Sequence, residues 1–340
     1  MLFSVIHLAT FPRMSKQSPP GNAPDHASAT LDASIIFATR DRAAQLHRTL
    51  AAYEALDTQG LRWELLVIDN ASKDETPAVL QAATAHLPLT TLYVAEGGQN
   101  RARNAALEYL RGELVIFTDD DVIPDRNCLQ AYVAAAARWP DEVIFGARIE
   151  PLFPPGTPDW MGNAAFQFGT TAFARYAPRI DEGVVKTHPY GPSFAVRSRA
   201  LPGHRFPENL GPQAGSYAMG GEAAFLRGIA ARGHRYIHVP SAHVQHVVRP
   251  EQICDGWLLQ RARNKGRGQV YLPSRRKPAS VHIQGVPLKL MLSVGRACAR
   301  YHAARLFGSR RRRIEYAITY QLRLGHAIEL RQKHIRQRQE

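Results

Sequence analysis

Between Ser34 and Asp121, short apolar runs and helical patterns alternate four times. Ser34-Ile-Ile-Phe-Ala-Thr39 reads as a strand, followed by a helical pattern through Leu46, Leu50, Tyr53 and Leu56. Glu64 to Ile68 is the second strand, and it leads through the polar loop Asp69 to Asp74 into a helix containing Val79 and Leu80. Leu89 to Val94 is the third, before Glu96-Gly97-Gly98 and a helix through Ala102, Ala105, Ala106 and Leu110. Leu114 to Phe117 is the fourth, and it breaks off into Thr118-Asp119-Asp120-Asp121. Strands separated by helices are joined by crossovers, so they lie parallel in one sheet flanked by helices. The pattern predicts an open, mostly parallel, Rossmann-like α/β sheet.

In such sheets ligands gather at the carboxyl ends of the strands. Asp119 and Asp121 sit at that place. Carboxylate oxygens suit hard divalent cations, Mg2+ or Mn2+, which commonly complete their shells with substrate phosphates. A diphosphate-bearing substrate follows. A simpler alternative has Asp119 or Asp125 capping a helix that begins near Arg126. The other strand ends carry Thr39-Arg40, Asp69-Asn70 and the Gly97-Gly98 turn leading to Arg101 and Arg103. Glycines allow close backbone approach, and a helix N-terminus favours anions. Asp74 is also placed to cap the helix near Thr76-Pro77, and both arginines could be surface residues.

Taken in order, these blocks resemble the family 2 glycosyltransferases, whose catalytic domain has the GT-A fold. The resemblance rests on Ser34 to Arg42, Leu66 to Thr76, Asn100 to Ala106 and Thr118-Asp-Asp-Asp121, the last standing where the family has its Asp-x-Asp metal motif. It extends from about residue 33 to about residue 270. It implies inverting transfer of a sugar from a nucleoside diphosphate donor, UDP-sugar first and GDP- or dTDP-sugar next, to a saccharide or lipid-linked acceptor hydroxyl. By the same resemblance, Asp69 contacts the base or ribose, with Thr39, Arg40 and Asn70 in the same pocket. Asp119 and Asp120 face the donor, Asp121 and Asp119 hold the cation, and Arg103 is a second cation near the phosphates. Gly191-Pro-Ser-Phe-Ala-Val-Arg197 resembles the segment lining the donor sugar. Met219 to Arg227 resembles the block that supplies the general base, which makes Glu222 the catalytic candidate, a Glu where Asp is usual. Gly221 replaces the usual acidic neighbour, and an alignment shifted by one would put Ala223 at the base position. His246 resembles a histidine found after the last core strand and is a candidate third metal ligand, with a purely structural role as its alternative. Trp160, Phe166, Phe168, Phe173, Tyr176 and Tyr190 either shape an acceptor cleft or pack internally.

The net charge of +14 lies in the tail: residues 251–340 carry 20 Lys and Arg against 5 Asp and Glu. Helical spacing there puts Leu288, Met291, Leu292, Cys298 and Leu306 on one face beside Lys289, Arg296 and Arg300, with Arg310 to Arg313 beyond. Such a pattern suits an anionic membrane surface; equally, the face could pack on the catalytic domain. The three cysteines show no metal or disulfide spacing, and no apolar run is long enough to span a bilayer. The apolar Met1 to Phe11 lacks the marks of a signal peptide. The expected organisation is a disordered leader at 1–32, a GT-A domain at 33–250 and a helical basic region at 251–340, cytoplasmic and peripheral on the inner face of the membrane. A role in polysaccharide or glycolipid synthesis fits this placement. The absence of a Walker loop or Gly-x-Ser-x-Gly elbow disfavours kinase and hydrolase chemistry. No nucleic-acid-binding module is recognisable, and no nucleic acid partner is expected. The competing readings are a nucleotidyltransferase of related fold and a catalytically degenerate donor-binding protein.

Overall fold

The computed structural model describes residues 31–170, 172–213, 216–272 and 281–339. Its order is β1 (Leu31–Thr39), α1 (Ala43–Glu54), β2 (Trp63–Asp69), α2 (Thr76–Ala83), β3 (Leu89–Tyr93), α3 (Gln99–Ala106), β4 (Gly112–Thr118), β5 (Val122–Pro124), α4 (Cys128–Arg138) and β6 (Ile144–Leu152). Then follow α5 (Asp159–Gly162), α6 (Ala164–Thr170), β7 (Gly183–Val185), β8 (Ser193–Arg197), β9 (Gly211–Gln213), β10 (Ser216–Ala218), α7 (Gly221–Ala230) and β11 (Tyr236–Val247). The chain continues with α8 (Asp255–Gly268), β12 (His282–Ile283), β13 (Val286–Pro287), α9 (Leu288–Phe307) and α10 (Arg310–Gln339). Two boundaries differ from expectation. β1 begins at Leu31, because Asp32 and Ala33 already bond to Arg62 beside β2; the rest of the expected leader lies outside the described residues. The helix expected near Arg126 is α4, which starts two residues later at Cys128, after the short strand β5, and neither Asp119 nor Asp125 caps it.

The main sheet runs β3-β2-β1-β4-β8-β6-β11-β5, with β7 beside β11. Six strands run one way; β5, β7 and β8 run the other. It is the expected mixed α/β architecture with a mostly parallel sheet. Apolar side chains leave both faces of the central strands. One face packs Phe37, Leu65 and Ile116 against α1, α2 and α4, and the other packs Ile36, Leu66 and Phe117 against α3 and α7. Burial on both sides explains the continuous apolar runs.

β11 is the element that completes the site. Its pairing with β6 breaks between Val239 and His243, and beyond that irregularity His246 pairs opposite Val122. The register therefore sets His246 beside Asp121. The tail helices stack on one another: α10 packs against α8 and α9. A third apolar cluster ties Leu258 and Ala262 of α8 and Ile314 and Ile318 of α10 to Met161, Phe166 and Phe173. The α8–α10 crossing is close enough that a Cβ on Gly266 would lie 1.9 Å from the Leu322 carbonyl oxygen, and one on Gly325 2.1 Å from that of Arg263. α9 rests on α10 through small residues, burying Ala297 and Ala304, while Met291, Leu292, Leu306 and Phe307 are exposed. Those four apolar side chains thus do not pack on the catalytic sheet. Among the described residues, no helix is long and apolar enough to cross a membrane.

Candidate active site

The carboxyl edge of the sheet is built by register. Thr39 ends β1 opposite Asp69 at the end of β2, and Thr118 ends β4 just before the three aspartates. Asp119, Asp121 and His246 each direct one ligand atom into a common space, all within 4.8 Å of one another. His246 Nε2 is 3.3 Å from Asp121 Oδ1, and its buried Nδ1 has no hydrogen-bond partner. Two carboxylates and an imidazole form a donor set that fits Mg2+ or Mn2+. The other oxygen of Asp121, Oδ2, accepts from Arg42 at 3.0 Å and Arg249 at 3.1 Å. Burial pushes the Asp121 carboxyl up, but His246, Arg42 and Arg249 together pull it well below the usual range, so it is held ionised.

Glu222 stands in the first turn of α7, whose entry is a glycine: Gly220 has φ +122, a conformation that side chains disfavour. Its Oε1 accepts from Arg103 Nη1 at 3.0 Å, while Arg103 Nη2 donates to Asp119 Oδ1 at 2.7 Å. Arg103 is fully buried and braces the two carboxylates from behind. It is not among the residues that line the cavity and reaches it through Asp119 and Glu222, which are. Burial pushes Asp119 up, with Arg103 opposing it.

The remaining sequence candidates divide into those that line the cavity and those that shape it. Thr39, Arg40 and Asn70 are at the surface of the cavity. Asn70 is already engaged, donating to the carbonyls of Val94 and Glu96 and accepting from Gly98 N–H, so it fixes the loop before α3. Asp69 is buried beside the lining residues Thr39 and Asn70 and accepts from Ser72 N–H at 2.9 Å, a bond that holds the loop after β2. Asp120 turns back toward β1 and α1. Its Oδ2 accepts from Thr39 Oγ1 at 2.7 Å, its Oδ1 accepts from Arg42 at 2.7 Å, and burial raises its carboxyl to about 6. Asp74 receives the N–H groups of both Ala43 and Thr76, tying together the starts of α1 and α2.

The carboxyl edge of the sheet opens on one cavity of about 970 Å³. Asp119, Asp120, Asp121, Glu222 and His246 line it, together with Tyr217 and with Trp257, Arg261 and Lys265 of α8. Of the sequence-selected aromatics, Phe173 and Tyr190 line it; Trp160 and Phe166 pack internally, and the side chain of Phe168 lies outside the described residues. Sequence reading missed Arg42, Arg249 and Gln99, the last donating to Asp119 at 3.0 Å. Arg42 was visible next to the Thr39-Arg40 turn, and Arg249 three residues past His246. Neither position carried a pattern that distinguished it from a solvated arginine.

Residues 34–201 match the family model described as Glycosyl transferase family 2. That segment belongs to the family. Glycosyltransferase AglE of Haloferax volcanii is 25% identical to this family 2 glycosyltransferase over 240 residues, 70% of this chain and 72% of the relative. Among solved structures, the mannosyltransferase PcManGT of Pyrobaculum calidifontis, in complex with GDP-Man and Mn2+, superposes with a TM-score of 0.54 at 19% identity, covering 86% of this chain and 87% of that one. S. aureus TarS 1-349 in complex with UDP gives 0.52 at 14% identity, covering 90% and 92%. These likenesses show that the family 2 glycosyltransferase described here has the GT-A fold, and with the family they make it a transferase of the EC 2.4 class.

Proposed function

We propose that the protein transfers a sugar, with inversion, from a nucleoside diphosphate sugar to a hydroxyl of a saccharide or lipid-linked acceptor in polysaccharide or glycolipid synthesis. The observation that carries the reading is the juxtaposition, in one cavity, of the Asp119–Asp121–His246 donor set and Glu222, coupled through Arg103. Asp119, Asp121 and His246 would hold a divalent cation, which supplies positive charge to offset that gathering on a departing diphosphate. Arg103 holds Asp119 and Glu222 in fixed relation, so the donor end and the base cannot drift apart. Glu222, on the cavity wall, takes the proton from the attacking acceptor hydroxyl. Its single carboxylate suffices for one in-line displacement, in which the hydroxyl oxygen bonds to the anomeric carbon as the bond to the diphosphate breaks. Thr39, Arg40 and Asn70 line the end of the cavity assigned to the nucleoside. UDP-sugar is the first candidate donor and GDP-sugar the next; relatives of this fold are recorded with UDP and with GDP-Man.

A nucleotidyltransferase reading is disfavoured by the family, and a degenerate binding protein by the presence of Glu222 in the cavity. Thermal unfolding with UDP-, GDP- and dTDP-sugars, each with Mn2+, with Mg2+ and with chelator, tests the proposal. A metal-dependent rise in Tm for one nucleotide class is expected, since a ligand selective for the folded state stabilises it. No rise across the panel in folded protein would reject it.

The same proposal includes an address on an anionic membrane surface at the cytoplasmic inner face. It is supported by the α9–α10 corner, where Leu306 is 76% and Phe307 91% exposed between Arg305 and Arg310 to Arg313. Apolar side chains at a tip surrounded by arginines suit insertion among anionic headgroups.

A further inference from the structure

Among the few acidic residues of the basic tail, Glu329 of α10 is the one that is buried among the described residues, 2% exposed. It has no part in the chemistry proposed above, yet it holds three donors. Its Oε2 accepts from Arg267 Nε at 2.7 Å, and its Oε1 accepts from Tyr271 Oη at 2.6 Å and from Arg336 at 3.1 Å. A buried carboxylate paired in this way is seldom more stabilising than well-packed apolar groups of the same volume; what its charge-assisted bonds add is a fixed geometry. The geometry fixed here is that of the chain leaving α8. Arg267 is in the last turn of that helix, and Tyr271 closes the short 3-10 helix, Gln269–Tyr271, that follows it.

This segment touches the entry of α7. Gln269 and Leu272 line the active-site cavity together with Met219, Gly220 and Glu222. A Cβ on Gly268 would lie 1.5 Å from the Met219 carbonyl oxygen, so the two backbones are in direct contact, and Met219 N–H donates to the Asn264 carbonyl at 3.2 Å. One residue on, a Cβ on Gly220 would meet Leu272 Cδ2 at 3.7 Å, an ordinary van der Waals distance. Gly220 is the residue from which α7 starts, and Glu222 stands two residues beyond it. Gly268 is the chain neighbour of Arg267, and Leu272 that of Tyr271. Contacts therefore run unbroken from Glu329 to the turn that carries the base.

We infer that Glu329 is a positioning residue for Glu222: by holding Arg267 and Tyr271 it keeps the 268–272 segment against Met219 and Gly220, and so fixes the turn from which the carboxylate projects. The inference rests on the reading of Glu222 as the base. It gives the tail helix a share in catalysis although no described residue of α10 lines the cavity.

Hydrogen exchange of the full chain without ligand, read peptide by peptide, tests the contact path directly. Glu329→Gln sets an amide N–H against one of the three donors, and Tyr271→Phe removes a single bond at a half-buried residue, so the second variant remains informative if the first folds poorly. Each should speed exchange in residues 217–224 about tenfold, the effect of one lost hydrogen bond to a charged group, while β1, β2 and β4 exchange as in the wild type. The double variant should exceed the stronger single variant by less than about twofold, because both act on one link. Glu315→Gln, on the same helix and paired only along it with Arg311, should leave residues 217–224 unchanged. Unchanged exchange there in both single variants, or a rise shared equally with the sheet, would overturn the inference.

Hydrolysis of the nucleotide sugar that most raises Tm in the thermal panel, with Mn2+, gives the second readout. Both variants should lower kcat about tenfold and leave KM within about twofold, whereas loss confined to KM would place Glu329's influence on donor binding and overturn its role toward the base. If residues 217–224 loosen as expected but Glu222→Gln hydrolyses the donor at the wild-type rate, the base reading fails while the hold of Glu329 on the turn stands.

Discussion

A Cβ at Gly221 would lie 2.2 Å from Asn100 Nδ2, and that amide is not free to retreat, because it donates to the carbonyls of Pro207 and Leu210. This accounts for the absence of an acidic neighbour before Glu222: the space is taken by the side chain that anchors the 207–210 loop. Gly221→Ala should lower stability by about 1–3 kcal/mol, the usual cost of overpacking, read as a fall in denaturation midpoint. It should also lower activity by moving Glu222. Glu222→Gln should leave nucleotide-sugar binding intact and reduce transfer at least ~100-fold; wild-type turnover would place the base elsewhere. Asp121→Asn should abolish the metal-dependent part of donor stabilisation, so that its Tm with donor and Mn2+ matches that with chelator. Asp121 and Glu222 could be selected from the sequence because carboxylates after an apolar strand or at a helix start are few. Arg42 and Arg249 could not, since their partner Asp121 is 79 and 128 residues away and an arginine's default place is the surface.

The elements were legible where burial on both faces left continuous apolar runs, as in β1, β2 and β4. The direction of β8 was not, because Ser193 to Arg197 shows the same apolar run whether it lies parallel or antiparallel to β4. The irregularity in β11 was equally hidden, and with it the reason His246 lies within a strand and not after one. Among the helices, the α8–α10 crossing depends on two glycines that place backbone against backbone. Gly266→Ala or Gly325→Ala should each destabilise the protein by about 3 kcal/mol, near the upper end for overpacking, because the obstacle is a carbonyl oxygen that cannot rotate away. Gly295→Ala in α9 is the opposite case. Nothing lies within 4 Å of that position, so the variant should gain roughly 1 kcal/mol from helix propensity alone. Urea denaturation of the three variants side by side would check both signs.

For the whole molecule, the sequence separated an almost neutral body from a basic tail, and it drew the border at residue 250. The cavity crosses that border: Gln252, Trp257, Gln260 and Arg261 line it together with residues from the body. Spacing could not reveal this, because the cavity also takes in residues such as Thr39 and Asp119 from more than a hundred residues away. The tail's outer end makes a different prediction. Phe307→Asp should weaken binding to vesicles rich in anionic lipid while leaving Tm unchanged, since the side chain is 91% exposed. Co-sedimentation at low and high salt would measure it, and equal binding by both proteins would reject the corner as the contact. The glycine-to-carbonyl crossing of α8 and α10 has one more consequence. The helix that walls the cavity also seats the longest tail helix, so exchanging that tail between homologous chains could not be done as a modular graft. A chimera joined after β11 would inherit a new pocket lining and a new outer surface in a single step, and changes in what the enzyme accepts and in where it resides would arrive together.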